Sequence, residues 1–190
     1  MINFYKISFI AIWILFWTFW FIIGSRTKTT KMVESQLSRL THLLLVILSF
    51  SFVGIDLLRF GFLHVKLFAQ FKFTNIVGMF ITLIGLSFAI YARFYLGINW
   101  SGKITIKEVH TIIKSGPYSI VRHPIYSGVL LGLIGTAIAV NEIGGILSII
   151  LFSIAYYRKI WIEERMLIEY FGGEYLAYKR EVKTIIPFIL

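Results

Sequence analysis

The chain has 190 residues, of which 58% are hydrophobic, 17% aromatic and only 15% charged, at a mean hydropathy of +0.82. That leaves too little polar surface to cover a soluble globule and marks a single-domain integral membrane protein. The absence of cysteine excludes a disulfide framework, a thiolate metal site and a cysteine nucleophile. The net charge of +10 is scattered through short connectors, which suits the anionic inner leaflet of a membrane and not nucleic acid.

In chain order, five segments are predicted to cross about 30 Å of hydrocarbon. The first, Ile7 to Ile23, carries three tryptophans and no charge. It lacks a small-x-small cleavage site and reads as an anchor helix, not a signal peptide. The second runs from His42 to Leu63 and contains Asp56 and Arg59, three apart and able to pair on one helix face. The third, Ile76 to Ile98, holds Arg93 near its end. The apolar stretch Ile125 to Trp161 is too long for one span and is broken by "NEIGG" at Asn141 to Gly145, which predicts a helical hairpin.

The predicted fold is therefore all-α, with about five transmembrane helices. Three lie in the N-terminal part, 1–98. The second part, 99–190, carries the hairpin at 125–162 and a C-terminal segment. The connectors Gly24 to Thr41 and Asn99 to Pro124, with the tail after Trp161, hold most of the lysine and arginine. By the positive-inside rule they face the cytoplasm, which puts the N-terminus outside and the C-terminus inside.

The stretch "SGPYSIVRHPIYSGVLL", Ser115 to Leu131, sets charged and aromatic residues against the start of an apolar helix. Gly116-Pro117 is a turn signal. Pro124 suits the first helical turn, and His123 falls where a cap would be. The N–H groups of Ile125, Tyr126 and Ser127 are expected to point back at Arg122 and His123 without intrahelical acceptors, an arrangement that favours an anion. The plainer alternative is that Arg122 meets lipid phosphate, as many juxtamembrane arginines do.

The tail places Glu163 and Glu164 at the interface on the same side as Arg122. An acidic residue near membrane depth is costly unless paired or functional, so Glu163 stands out, with Arg122 as its expected partner. Glu164, Arg165 and Glu169 have the ordinary charge spacing of a solvated helix face. "FGGEY" ends that helix at Gly172-Gly173, and Tyr175 and Tyr178 then share one face of a short helix closed by Pro187.

Taken in series, "LGINWSG", "SGPYSIVRHPIYSG", the paired "EE" and "YFGGEYLAYKREVKTIIPF" resemble the isoprenylcysteine carboxyl methyltransferase family, over about the last half of the chain. The resemblance implies a multi-span enzyme that binds S-adenosyl-L-methionine in a cytoplasm-facing pocket completed by the C-terminal segment. It implies that Gly116, Pro117, Tyr118, His123, Tyr126, Glu164, Tyr175 and Tyr178 bind the cofactor. Arg122 and Glu163 would then be the catalytic pair near the transferred methyl group.

No metal is implied. The partners implied are the bilayer and a lipophilic or amphipathic methyl acceptor, and the oligomeric state is left open. The short N-terminal part resembles prokaryotic members, hence a bacterial or archaeal cell membrane. The same cofactor half is similar to phospholipid N-methyltransferases and small-thiol S-methyltransferases. A sterol-reductase-like enzyme using NADPH and a non-catalytic membrane interaction protein share the architecture.

Overall fold

A computed structural model describes residues 4–24, 30–33, 35–55, 60–69, 71–97, 105–107 and 112–187. Helices dominate them: α1 Phe4–Gly24, α2 Gln36–Gly54, α3 Lys72–Leu96, α4 Pro124–Val140, α5 Ile143–Phe171 and α6 Gly173–Glu181. Four of these, α1, α2, α3 and α5, are long and apolar enough to span a bilayer. The fourth predicted span is the shorter α4, of 17 residues, or about 26 Å of helix. It is also the most enclosed, with Gly128, Gly132, Leu133, Gly135 and Ala137 all buried. The protein is an all-α integral membrane protein.

Small residues decide how α4 is enclosed. Gly78 and Gly85 on α3 face Gly135 and Gly128 on α4 so closely that a Cβ on any of the four would lie 2.5 Å from the backbone oxygen opposite. Without a hydrophobic force between helices in lipid, such close approach and interhelical hydrogen bonds are what associate them. Thr82 supplies the bond at the seam, its Oγ1 3.0 Å from Gly132 O. Trp13 Nε1 donates to Thr136 Oγ1 at 3.0 Å and attaches α1 to α4. On the other flank α2 meets α5, where Ser49 Oγ donates to Ser148 O at 2.8 Å and Arg158 donates to Ser38 O at 3.0 Å. Trp13, Phe16, Leu86, Val129, Leu133 and Phe152 fill the centre.

The hairpin forms where "NEIGG" predicts it. Asn141 takes the left-handed conformation, φ 56°, that stops α4, as asparagine tolerates better than most residues. Its amide also holds the 60–69 connector, Nδ2 donating to Phe68 O at 2.6 Å and Oδ1 accepting from Phe68 N at 3.2 Å.

One expectation needs correction. The second span starts at Gln36, capped by Ser35 accepting from Ser38 N, and ends at Gly54, not Leu63. Residues Gly61–His64 form a 3₁₀ turn. The expected Asp56–Arg59 pairing lies outside the described residues. In addition, the Gly24–Thr41 and Asn99–Pro124 connectors meet through a short antiparallel pairing of β1 Thr30–Val33 with β2 Thr105–Lys107, so they lie at one end of the bundle. The tail joins them there, through a parallel bridge between Val121 and Lys183.

The seam gives a direct test. Gly135→Val places methyl groups where Gly78 O already sits, an overpacking worth about 1–3 kcal/mol or more. A lower melting temperature in detergent is expected, and unchanged melting would show that α3 and α4 are not in contact there.

Candidate active site

Arg122 ends the segment before α4, and its side chain is buried. A guanidinium carries five N–H donors and no acceptor, so burial obliges the surroundings to supply acceptors. They come from α5 and from the tail folded back over it. Nε donates to Glu164 Oε1 at 2.9 Å, and Nη2 lies 2.8 Å from the same oxygen. Nη2 also donates to Thr184 Oγ1 at 2.8 Å. Nη1 donates to Lys179 O at 3.2 Å and to Val182 O. The backbone runs parallel to this latch, with Arg122 N donating to Lys183 O at 2.8 Å and His123 N to Thr184 O at 3.0 Å.

Glu164, not Glu163, is therefore the partner of Arg122. It is buried, against the expectation of a solvated helix face, and Lys179 Nζ donates to its second oxygen at 2.6 Å. The two glutamates are neighbours on α5 and differ by about 100° in direction, so they face different surroundings. Glu163 Oε2 accepts from Tyr126 OH at 2.9 Å, and His123 Nδ1 lies 3.9 Å away. Its Oε1 has no partner among the described residues, and the side chain is 31% exposed.

His123 is the N-cap of α4 but makes no side-chain cap bond. Its ring stacks on Tyr126, centroids 5.4 Å apart at 6°, and its Nε2 reaches Glu164 Oε1 at 3.3 Å. The expected row of unclaimed N–H groups is shortened, since Ser127 N donates to His123 O at 3.0 Å. Before α4, Gly116 has φ 58° and carries no Cβ that would strike the Tyr95 ring at 2.6 Å. Pro117 and Tyr118 follow in a buried 3₁₀ turn. Tyr178 OH donates to Tyr118 O at 2.6 Å and closes the tail over that turn.

The remaining phenols are unusual. Tyr175 and Tyr118 are buried and their hydroxyls have no hydrogen-bond partner among the described residues. Burial pushes the Tyr118, Tyr175 and Tyr178 hydroxyls well above their ordinary value, and Glu163 or Glu164 nearby adds to the shift. They remain neutral donors at any physiological pH. A buried hydroxyl without a partner costs about 1–3 kcal/mol, a deficit that a polar ligand would relieve.

Sequence reasoning missed Lys159. One turn before Glu163, it is buried on α5, and its Nζ lies 5.7 Å from the centroid of the Tyr126 ring. The i to i+4 spacing from Lys159 to Glu163 was readable as one helix face. That this face turns inward was not. Among the described residues no group of three histidines, aspartates or glutamates is arranged to hold a metal ion.

The latch predicts a specific failure. Arg122→Ala leaves Glu164 with Lys179 and His123 but deprives it, Lys179 O, Val182 O and Thr184 Oγ1 of their shared donor, at about 1.5–3 kcal/mol for each hydrogen bond to a charged group. Limited proteolysis should then cut after Phe171 in the variant while the wild type resists. Equal resistance would mean that the tail is held by other contacts.

The isoprenylcysteine carboxyl methyltransferase (ICMT) family matches residues 65–169, more than half of the chain. The protein-S-isoprenylcysteine O-methyltransferase of Saccharomyces cerevisiae is 31% identical over 121 residues, 62% of this chain and 51% of the yeast protein. The human protein of the same name is 34% identical over 124 residues, 63% of this chain and 43% of its own length. A probable protein-S-isoprenylcysteine O-methyltransferase of Oryza sativa subsp. indica is 30% identical over 149 residues, 75% of this chain and 76% of the rice protein. The chain spans about half the length of the yeast and human relatives it matches.

Proposed function

The chain belongs to the isoprenylcysteine carboxyl methyltransferase family, and from that premise we propose that it methylates the carboxylate of an isoprenylcysteine-like or comparable amphiphile, using S-adenosyl-L-methionine. The observation that carries the proposal is the environment of Glu163, whose open carboxylate oxygen stands beside the His123–Tyr126 stack. The yeast and human relatives are named for that reaction. When bound, the cofactor supplies an electrophilic methyl group on a positively charged sulfur.

The residues present suit such a group. Glu163 offers a negative charge to a sulfonium, and the stacked His123 and Tyr126 rings offer an apolar face with polar edges. Tyr175 and Tyr118 have hydroxyls to donate, and the Gly116–Tyr118 turn presents backbone. Glu164 and Tyr178 act one step back, fixing the tail that covers these groups.

The five donors of Arg122 are spent on Glu164 and the tail, so its part is positioning, not gripping the acceptor. Lys159, one turn before Glu163 on α5 with its Nζ 5.7 Å from the centroid of the Tyr126 ring, brings a positive charge to the side of the site where an acceptor carboxylate would lie. A carboxylate acceptor needs no base, so in-line placement supplies most of the rate. The site lies at the basic end of the bundle, which we assign to the cytoplasmic side, with the N-terminus across the membrane.

Thermal unfolding with ligands tests the reading. S-adenosylhomocysteine should raise the melting temperature and NADPH should not, because only a ligand of the folded state stabilises it by mass action. Stabilisation by NADPH alone would favour a reductase, and by neither a non-catalytic protein. Tyr175→Phe should weaken S-adenosylhomocysteine by about 3–10-fold, the worth of one hydrogen bond. Glu163→Gln should lose turnover on a prenylcysteine far more than it loses affinity for that ligand. Near wild-type turnover would remove Glu163 from the chemistry, and faster methylation of a phospholipid amine or a soluble thiol would replace the acceptor.

A further inference from the structure

A cavity of about 820 Å³ opens between α1 and the rest of the bundle, at the end far from Glu163. Its inner wall is aromatic, with Phe9, Trp13 and Trp17 of α1 and Phe50 of α2, and its outer rim carries Lys6, His64, Lys66 and Glu142. Glu142 is nearly buried and is held by Lys66 Nζ at 2.8 Å and His64 Nδ1 at 2.9 Å. Among the described residues of the rim, two lysines and one carboxylate sum to an excess of one positive charge. From Lys6 to Trp17 the helix advances about 16 Å, and from Glu142 to Glu163 about 30 Å. The cavity is thus about one leaflet deep and lies across the membrane from the candidate active site.

Its shape fits one chemical class. A hydrocarbon chain gains little by leaving lipid for an apolar wall, since lipid tails are equally apolar. What retains a molecule here is the headgroup at the rim, and a positive rim at interfacial depth selects a negative one. We propose that the cavity binds an anionic glycerophospholipid of the leaflet opposite the active site, with one acyl chain along Phe9, Trp13 and Trp17 and the phosphate at Lys6 and Lys66. The proposal rests on the cavity and its charges and is independent of the methyltransferase reading.

Native mass spectrometry of the detergent-solubilised protein, incubated with phosphatidylglycerol or phosphatidylcholine, tests it without an activity readout. Phosphatidylglycerol should be retained at one per chain, at least about five-fold more than phosphatidylcholine, the worth of roughly one lysine at a membrane surface. Lys6→Gln should remove most of that preference. Gly54 also lines the cavity, and a Cβ there meets nothing within 4 Å, so Gly54→Trp should fill the space and abolish retention of both lipids. Equal retention of the two lipids by the wild type, or undiminished phosphatidylglycerol in a folded Gly54→Trp, overturns the proposal. So does displacement of phosphatidylglycerol by a prenylcysteine, which would give the cavity to the methyl acceptor. Should Gly54→Trp not fold, the lipid preference of Lys6→Gln decides alone.

Discussion

A buried guanidinium has to find acceptors for five N–H groups, and in this protein the requirement shapes the whole basic end of the bundle. Arg122 draws on Glu164 from α5 and on Lys179, Val182 and Thr184 from the tail. One side chain therefore joins the start of α4, the end of α5 and the segment after α6. Removing any of the three would leave charge or donors stranded in a place with little water. The consequence is a tail that cannot lie elsewhere, and so a fixed position for Tyr175 and Tyr178.

This fixation separates two glutamates that are neighbours in sequence. Glu164 is consumed by structure, bonded to Arg122, Lys179 and His123. Glu163, held through one oxygen by Tyr126, keeps the other available. The division suits the positively charged reactant proposed for the site, with one carboxylate that keeps an open oxygen among neutral phenols whose ionisation burial suppresses. The glycine seam between α3 and α4 contributes from a distance by fixing α4, and thus His123 and Tyr126, against the bundle.

Much of this is legible in the sequence, because hydropathy and breaker residues act locally. The hairpin follows from Asn141 and the glycines after it, and α4 starts at Pro124 as a proline at a first turn should. The second span is misjudged because apolar residues continue past Gly54 through Ile55, Phe60 and Leu63, and hydropathy alone cannot show that the backbone has left the helix. Choosing Glu163 over Glu164 as the partner of Arg122 fails for another reason. The choice depends on the path of residues 182–184, whose backbone oxygens carry no signature in their side chains. Lys159 escapes notice because a lysine near the end of a span ordinarily reaches for the interface. Only the packing of α2 and α4 around it shows that it is buried.

Because the Arg122–Glu164 latch holds the tail over the proposed site, tail docking and ligand binding are expected to be one event. Amide hydrogen exchange followed by mass spectrometry measures this directly in segments 121–127 and 173–187, with and without S-adenosylhomocysteine. The Arg122 and His123 amides, bonded to Lys183 O and Thr184 O, should be slow in the free protein. In both segments exchange should slow further, together, when the ligand binds, and in Glu164→Gln both should exchange quickly with the ligand effect reduced. Ligand protection confined to one segment, or unchanged exchange in Glu164→Gln, would contradict the account.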